Sequence, residues 1–383
     1  MSTLKVGAIR GVSASSDAIT VSNDGSCTAN ITNNLSNRNL VINGAMEVAQ
    51  RGTSFTNVGA QEYTLDRFVT LHSYGGTQMG VSQSSTSPDG FSNSYKLDVN
   101  TADTSIGAAE FVFIRHKLEA QNLQQLAYGT SGAKSITLSF YVRSNVTGTY
   151  AICLQQKDNS SKQVNGSYTI NSADTWERKT FTYAGDTSGV INNDNGHGLD
   201  ILWTLVAGSD RTSGSARPTW TAHANADESV GHTANILSST SNNFHLTGVQ
   251  LEVGSVATDF EHRSFGQELE LCKRYYQQID GDYDDYTGFS AYSESATSMR
   301  AVVQLHPSMR AAFTHSKSGV FRFQGATNDS NDAANAFDLH GVNTSFNGCT
   351  IRSSAYSGMA AADRPWNLQF RQDGSSLKFD AEL

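Results

Sequence analysis

Between residues 39 and 263 the chain keeps returning to one pattern: a short run with apolar side chains on alternate positions, closed by a cluster of Gly, Asn, Asp or Ser. A period of two marks a strand with one buried face, because successive side chains leave a strand on opposite sides. The predicted strands are NLVIN (39–43), YTLDRFVTL (63–71), NSYKLDV (93–99), AEFVFIRH (109–116), SITLSFYVR (135–143), TYAICLQQ (149–156), WERKTFTY (176–183), LDILWTLV (199–206) and FHLTGVQLEV (244–253). In the last of these Thr247-Gly248 shifts the phase once, the mark of a bulge. Runs this short, with turns this frequent, restrict the region to stacked antiparallel sheets, a mainly β sandwich. KLEAQNLQQL (117–126), with Leu118, Leu123 and Leu126, breaks the pattern as a short predicted helix. Composition supports the same choice: charged residues are only 16% of the chain, so turn-forming polar residues take the surface that Lys and Glu occupy in helical proteins.

After Gly254 the period changes. Ser264 precedes Gln267 by three residues, the spacing of a capping box, and Leu269, Cys272, Tyr276 and Ile279 recur at helical spacing. A linking helix is therefore predicted over 264–279, its apolar stripe facing either a neighbouring chain or the C-terminal unit. Residues 280–383 read as a further β-rich domain with strands near TGFSAYS, MRAVVQL, GVFRFQ, AFDLHG, TIRSSAY, WNLQFR and SLKFDAEL. Leu368 and Phe370 before Asp373-Gly374, with Leu377 and Phe379 after it, predict a hairpin. At the other end, residues 1–36 hold AITV and CTANIT around Asp24-Gly25, a second hairpin signal. An isolated hairpin is marginal in water, so this arm needs neighbours: other copies, a partner protein or its own domain. The division is thus an arm (1–36), a sandwich (37–263), the helix (264–279) and a distal β domain (280–383).

Several functions are disfavoured. A formal net charge of −9 without a Lys/Arg cluster speaks against nucleic-acid binding. No apolar run reaches the roughly 18 residues of a membrane span, and MSTLKV lacks the apolar core of a signal peptide, so neither membrane insertion nor that export route is expected. The four cysteines are far apart without CxxC spacing, and the ten histidines show no HxH or HExxH, so no metal site and no cofactor is predicted. The acidic run from Asp280 to Asp285 misses the glycine and the terminal glutamate of a calcium-binding EF-hand loop. A glycan hydrolase needs two carboxylates across a groove, which spacing alone cannot show in a β protein; no catalytic residue is assigned. In the loop-like segment 207–241, which also carries His223 and His232, Trp220 is either a platform for a sugar ring or a plug for the sandwich end.

TGVQLEVGSVATDFEHR (247–263) with LELCKRYYQ (269–277) resembles a block that recurs in tail fibre and related structural proteins of tailed bacteriophages, marine ones especially. NLVINGAMEVAQRG (39–52) with YTLDRF (63–68) resembles the opening of the same domain. The resemblance covers roughly residues 39–279 and implies a jelly roll like those of carbohydrate-binding modules, with Trp176 in its core and Trp220 on an anchoring turn. It further implies a non-enzymatic tail fibre protein of the virion. Such a protein would assemble in the host cytoplasm as a homotrimer, attach to tail or adaptor proteins through residues 1–36 and adhere to host surface polysaccharide. A capsid decoration or head fibre is the alternative within the virion, and a glycan-depolymerising tailspike the alternative of another class. In similar proteins the distal end faces the receptor, which makes Tyr283, Tyr286, Tyr292, Tyr356 and Trp366 candidates beside Trp220. Leu269, Cys272, Tyr276 and Ile279 are the candidate interface.

Overall fold

The computed structural model describes residues 6–12, 17–21, 23, 27–29, 37–74, 78–158, 161–281, 288–295, 298–325, 330–331, 337–340, 346–353 and 365–383. The fold is mainly β. Its largest part is a sandwich of two antiparallel sheets. The first sheet runs, edge to edge, Glu177–Tyr183, Ile136–Ser144, Asn243–Val253, Ser94–Val99, Met79–Ser84 and Ser54–Phe55. The second runs Thr221–Ala222, Lys162–Ile170, Gly148–Gln156, His197–Ala207, Phe111–Glu119, Phe68–His72 and Gln61–Tyr63.

The alternation in sequence becomes the core between the sheets. Ile136, Leu138, Phe140 and Val142 face Ile152, Leu154, Ile201, Trp203 and Leu205, all fully buried. Trp203 stands edge-on to Phe140 at 5.7 Å between ring centres. Each such side chain stabilises the sandwich by about 1.5–3 kcal/mol through removal from water. The predicted bulge is present: Ser139 pairs with Gln250 but Tyr141 with Thr247, and Gly248 takes φ +59°.

NLVIN is not a strand. It is a turn with Asn43 at φ +61°, and the bulge explains why. The irregular ladder frees the peptide groups of Val249, whose N–H donates to the Gly44 carbonyl (2.9 Å) and whose carbonyl accepts from Asn39 Nδ2 (3.0 Å). Arg263 donates to the Asn39 and Val41 carbonyls, Asn39 N–H to Glu261 (2.8 Å) and Asn43 N–H to Glu268 (2.5 Å). The segments 39–52 and 247–268 are thus the two halves of one buried polar knot.

Other segments differ from expectation. KLEAQNLQQL divides: the strand runs on to Glu119, and only Ala120–Leu126 is helical, as a 3-10 turn burying Leu123 and Leu126. Met79–Ser84, Lys162–Ile170 and Thr314–Ser318, with the short edge strands Ser54–Phe55 and Thr221–Ala222, are strands outside the predicted set. The linking helix carries the capping box, with Ser264 accepting from Gln267 N–H, but ends at Lys273. Tyr276 and Ile279 lie on a strand, Tyr276–Gly281, which pairs with Ser375–Asp380. Helix stops here because Tyr275 and Tyr276 are taken by cations of the sandwich: Arg67 stacks on Tyr275 at 3.5 Å and Arg51 on Tyr276 at 3.7 Å.

Beyond the helix a second core holds Met299, Val303, Phe321, Phe323, Ile351, Leu368, Phe370, Leu377 and Phe379. A three-stranded sheet (Tyr276–Gly281, Ser375–Asp380, Thr314–Ser318) and a seven-stranded one contribute to it. The expected hairpin across Asp373-Gly374 does not form. Pro365–Phe370 pairs with Gly288–Ser295 and Phe321–Gly325, whereas Ser375–Asp380 belongs to the three-stranded sheet. The alternation is satisfied because both strands send their apolar side chains into the same core from different sheets. In the arm, Ala8–Ile9, Ile19–Val21 and Cys27–Ala29 form a small antiparallel sheet.

The two β units are joined through a buried seam. Arg67, 1% exposed, forms an ion pair with Glu382 and donates to the Lys117 carbonyl (2.6 Å). Arg51 pairs with Asp380 at 3.0 Å and Glu382 at 3.4 Å, and Arg274 with Glu119 at 2.7 Å.

Candidate functional site

The tryptophans and tyrosines chosen from sequence scatter. Trp220 is half-buried, donates its indole N–H to the Ala184 carbonyl (2.9 Å) and packs edge-on to Tyr128 against the sandwich core. It is an anchor. Trp366 is 6% exposed inside the second core, which corrects its candidacy as a ligand surface: its ring is covered by the chain's own side chains. Tyr292 is 41% exposed on Gly288–Ser295. Tyr283, Tyr286 and Tyr356, with most of the acidic run 280–285, lie outside the described residues. Of the apolar stripe, Cys272 is buried, Leu269 is half-buried, Tyr276 is in the seam and Ile279 packs on the second core. The helix turns Phe265 (56% exposed) and Leu271 (37%) outward instead.

The outer faces of the two sheets differ. That of the second sheet is occupied by the excursion after Ala207. Arg211 lies over Phe111 at 3.9 Å and pairs with Glu228, which also accepts from Gln155 Nε2 (2.8 Å) and contacts His223 Nε2 (2.9 Å). Beside it Asp200, fully buried, meets His197, Arg115 (3.4 Å) and Lys157 (3.6 Å). Burial tends to raise the pKa of both carboxylates, but hydrogen bonds from the histidines and the neighbouring cations more than offset it, leaving both below the usual range. Both stay ionised near neutrality, so neither serves there as a proton donor.

The outer face of the first sheet is more open. Register sets Arg143, His245, Lys96 and Ser82 side by side on four neighbouring strands, and Trp176, just before the strand Glu177–Tyr183 beyond Arg143, extends the row. Trp176 is half-buried and outside the core, which corrects its expected place; its ring meets His245 edge-on at 5.9 Å. Arg143 pairs with Asp174 and Lys96 with Asp98, each at 2.8 Å. His245 is 2% exposed with Nδ1 3.0 Å from Ser94 Oγ, and burial, with Arg143 and Lys96 beside it, pushes its pKa down to about 3. One flank is walled by Phe91, which packs on Tyr141, Phe260 and His262. The result is an aromatic ring beside close-set donors and acceptors, suited to a polyhydroxylated ligand.

The parity of WERKTFTY held this information. Phe181 and Tyr183, the core side chains, share their phase with Glu177 and Lys179, while Trp176 shares its phase with Arg178, Thr180 and Thr182. Reading that strand by its apolar end puts Trp176 outside.

No family model and no curated protein matches this chain. Among solved structures it is similar to the enzymatically active domain of bacteriophage CBA120 tailspike protein 4, at 12% identity over 56% of this chain and 21% of that one, TM-score 0.29. It is also similar to a family 11 carbohydrate-binding module from Clostridium thermocellum, in complex with a mixed-linked tetrasaccharide, at 11% identity over 55% and 99% of the two chains, TM-score 0.27. A third is the CBM22-1 xylan-binding domain of Paenibacillus barcinonensis Xyn10C, at 11% identity over 53% and 94%, TM-score 0.26. The chain thus spans about a fifth of the tailspike structure's length.

Proposed function

We propose that the protein is a tail fibre component of a tailed-phage virion that adheres to host surface glycans without cleaving them. The observation that carries the adhesion reading is Trp176 on the open, polar outer face of the first sheet, next to paired donors and acceptors. The resemblance of the segments around 39–68 and 247–277 supports the virion assignment. The non-catalytic reading is supported by Asp200 and Glu228, which their cation and histidine partners hold ionised.

The working form is a homotrimer attached to tail or adaptor proteins through residues 1–36. In support, Val6 (45%), Ile9 (53%), Val12 (108%) and Val21 (36%) are exposed in the arm, and Phe265 and Leu271 on the helix. Association of copies through the arm and the helix would cover these groups. The test is mass photometry with glycan retention on the purified full chain. A trimer that is retained by host polysaccharide and releases no reducing sugar is expected. A monomer at micromolar concentration, or sugar release abolished by Asp200→Asn or Glu228→Gln, overturns the reading.

A further inference from the structure

We infer that the outer face of the first sheet, from Trp176 to Ser82, binds one strand of an uncharged polysaccharide laid across the β-strands. The inference rests on the glycan-adhesion reading above and adds a place, a direction and a ligand class.

Direction follows from register. Arg143, His245, Lys96 and Ser82 sit on four consecutive strands of the sheet in one row at right angles to them, and Trp176, immediately before the edge strand Glu177–Tyr183, continues the row. Four strand spacings of ~4.8 Å make this row about 19 Å long, room for several sugar rings in line. Along a single strand the same face is interrupted: Thr247 donates to the Asn93 carbonyl (2.7 Å), and Gln250 is spent on Glu252 (3.0 Å) and Thr258 (3.2 Å) beneath the segment 254–263. The transverse path avoids these occupied side chains of Asn243–Val253.

Ligand class follows from charge. Each cation of the row already has its carboxylate: Arg143 both pairs with Asp174 and donates to that residue's carbonyl (3.0 Å), and Lys96 pairs with Asp98. His245 is uncharged, and the whole chain carries a formal −9. An acidic polymer finds no free cation here and meets long-range repulsion. A neutral sugar finds the reverse. The Asp98 and Asp174 side chains are 42% and 53% exposed, so their carboxylates accept from hydroxyls while the adjacent cations donate, giving charge-assisted hydrogen bonds to an uncharged ligand. Trp176 supplies the flat apolar surface that a pyranose C–H face covers.

The experiment is affinity electrophoresis of the full-length protein through gels holding neutral polymers (mannan, xylan, laminarin) or acidic ones (alginate, polygalacturonate), at low and high salt. Retention by at least one neutral polymer, insensitive to salt, is expected. Trp176→Ala should weaken it on the order of tenfold, about 1.4 kcal/mol of binding free energy. Lys96→Met should weaken it less, and Val302→Ala, exposed on the distal unit, not at all. Unchanged melting temperatures for all three show that the fold is intact. Neutral retention unaffected by Trp176→Ala overturns the site. Retention by acidic polymers alone, weakened by salt, overturns the ligand class while leaving adhesion standing. Absence of retention by every polymer removes the adhesion reading and this inference together.

Discussion

His116, His232 and His245 are held neutral by burial, their pKa values pushed down to about 3, 4 and 3. In the unfolded chain each titrates near 6.5. Below that pH the unfolded form takes up protons that the folded form refuses, so this stabilisation is complete above about pH 6.5 and is lost progressively as pH falls toward the folded values. Once well below 6.5, each histidine contributes a slope of about 1.4 kcal/mol per pH unit. The melting temperature should therefore fall steadily from pH 7 to pH 4.5, and His245→Gln should make that fall shallower. A melting temperature flat over this range contradicts the buried neutral rings. Trp176 shows a different limit: the resemblance placed it in the core, yet the parity of the strand that follows it, where Phe181 and Tyr183 face inward, puts it outside.

At the scale of elements, the bulge at Gly248 and the turn at Asn43-Gly44 depend on each other. A Cβ on Gly44 would lie 2.1 Å from the Val249 carbonyl oxygen, a backbone atom that cannot swing away, whereas one on Gly266 in the linking helix meets nothing within 4 Å. Gly44→Ala should accordingly cost about 1–3 kcal/mol or more, through displacement of the turn from the bulge. Gly266→Ala should stabilise by up to about 1 kcal/mol, since alanine favours helix. Chemical denaturation of the two variants checks the contrast, and equal effects would mean that turn and bulge are not packed this closely. Strand positions were legible in sequence because a period of two survives any choice of partner. Partners were not. Leu368, Phe370, Leu377 and Phe379 alternate equally well whether their strands form a hairpin or enter different sheets over one core, and residues 371–374 turn the chain in either case. The helix end was hidden for a related reason: Tyr276 and Ile279 fit helical spacing, but Arg51 and the strand Ser375–Asp380 claim them.

The whole molecule depends on a seam that no local pattern announces, because its partners are over 300 residues apart: Arg67 with Glu382, and Arg51 with Asp380. Buried ion pairs between the two β units, reinforced by stacking on Tyr275 and Tyr276, oppose hinging. Burial works against both charges and raises the Glu382 pKa above the ordinary carboxylate value, yet at Arg67 the attraction of Glu382 and the surrounding tyrosines more than offsets it, so the guanidinium stays firmly protonated. Removing one partner strands the other in low dielectric. Glu382→Gln or Arg67→Met alone should therefore cost about 3–5 kcal/mol, while the double replacement Arg67→Met with Glu382→Met, which leaves no unpaired charge, should recover much of it. Calorimetry distinguishes what the seam does. If it couples the units, each single variant splits the melting transition into two, the sandwich and the distal unit unfolding separately, and the double variant restores one. A single variant that lowers one undivided transition without splitting it would mean that the ion pair stabilises the sandwich but does not transmit between the units.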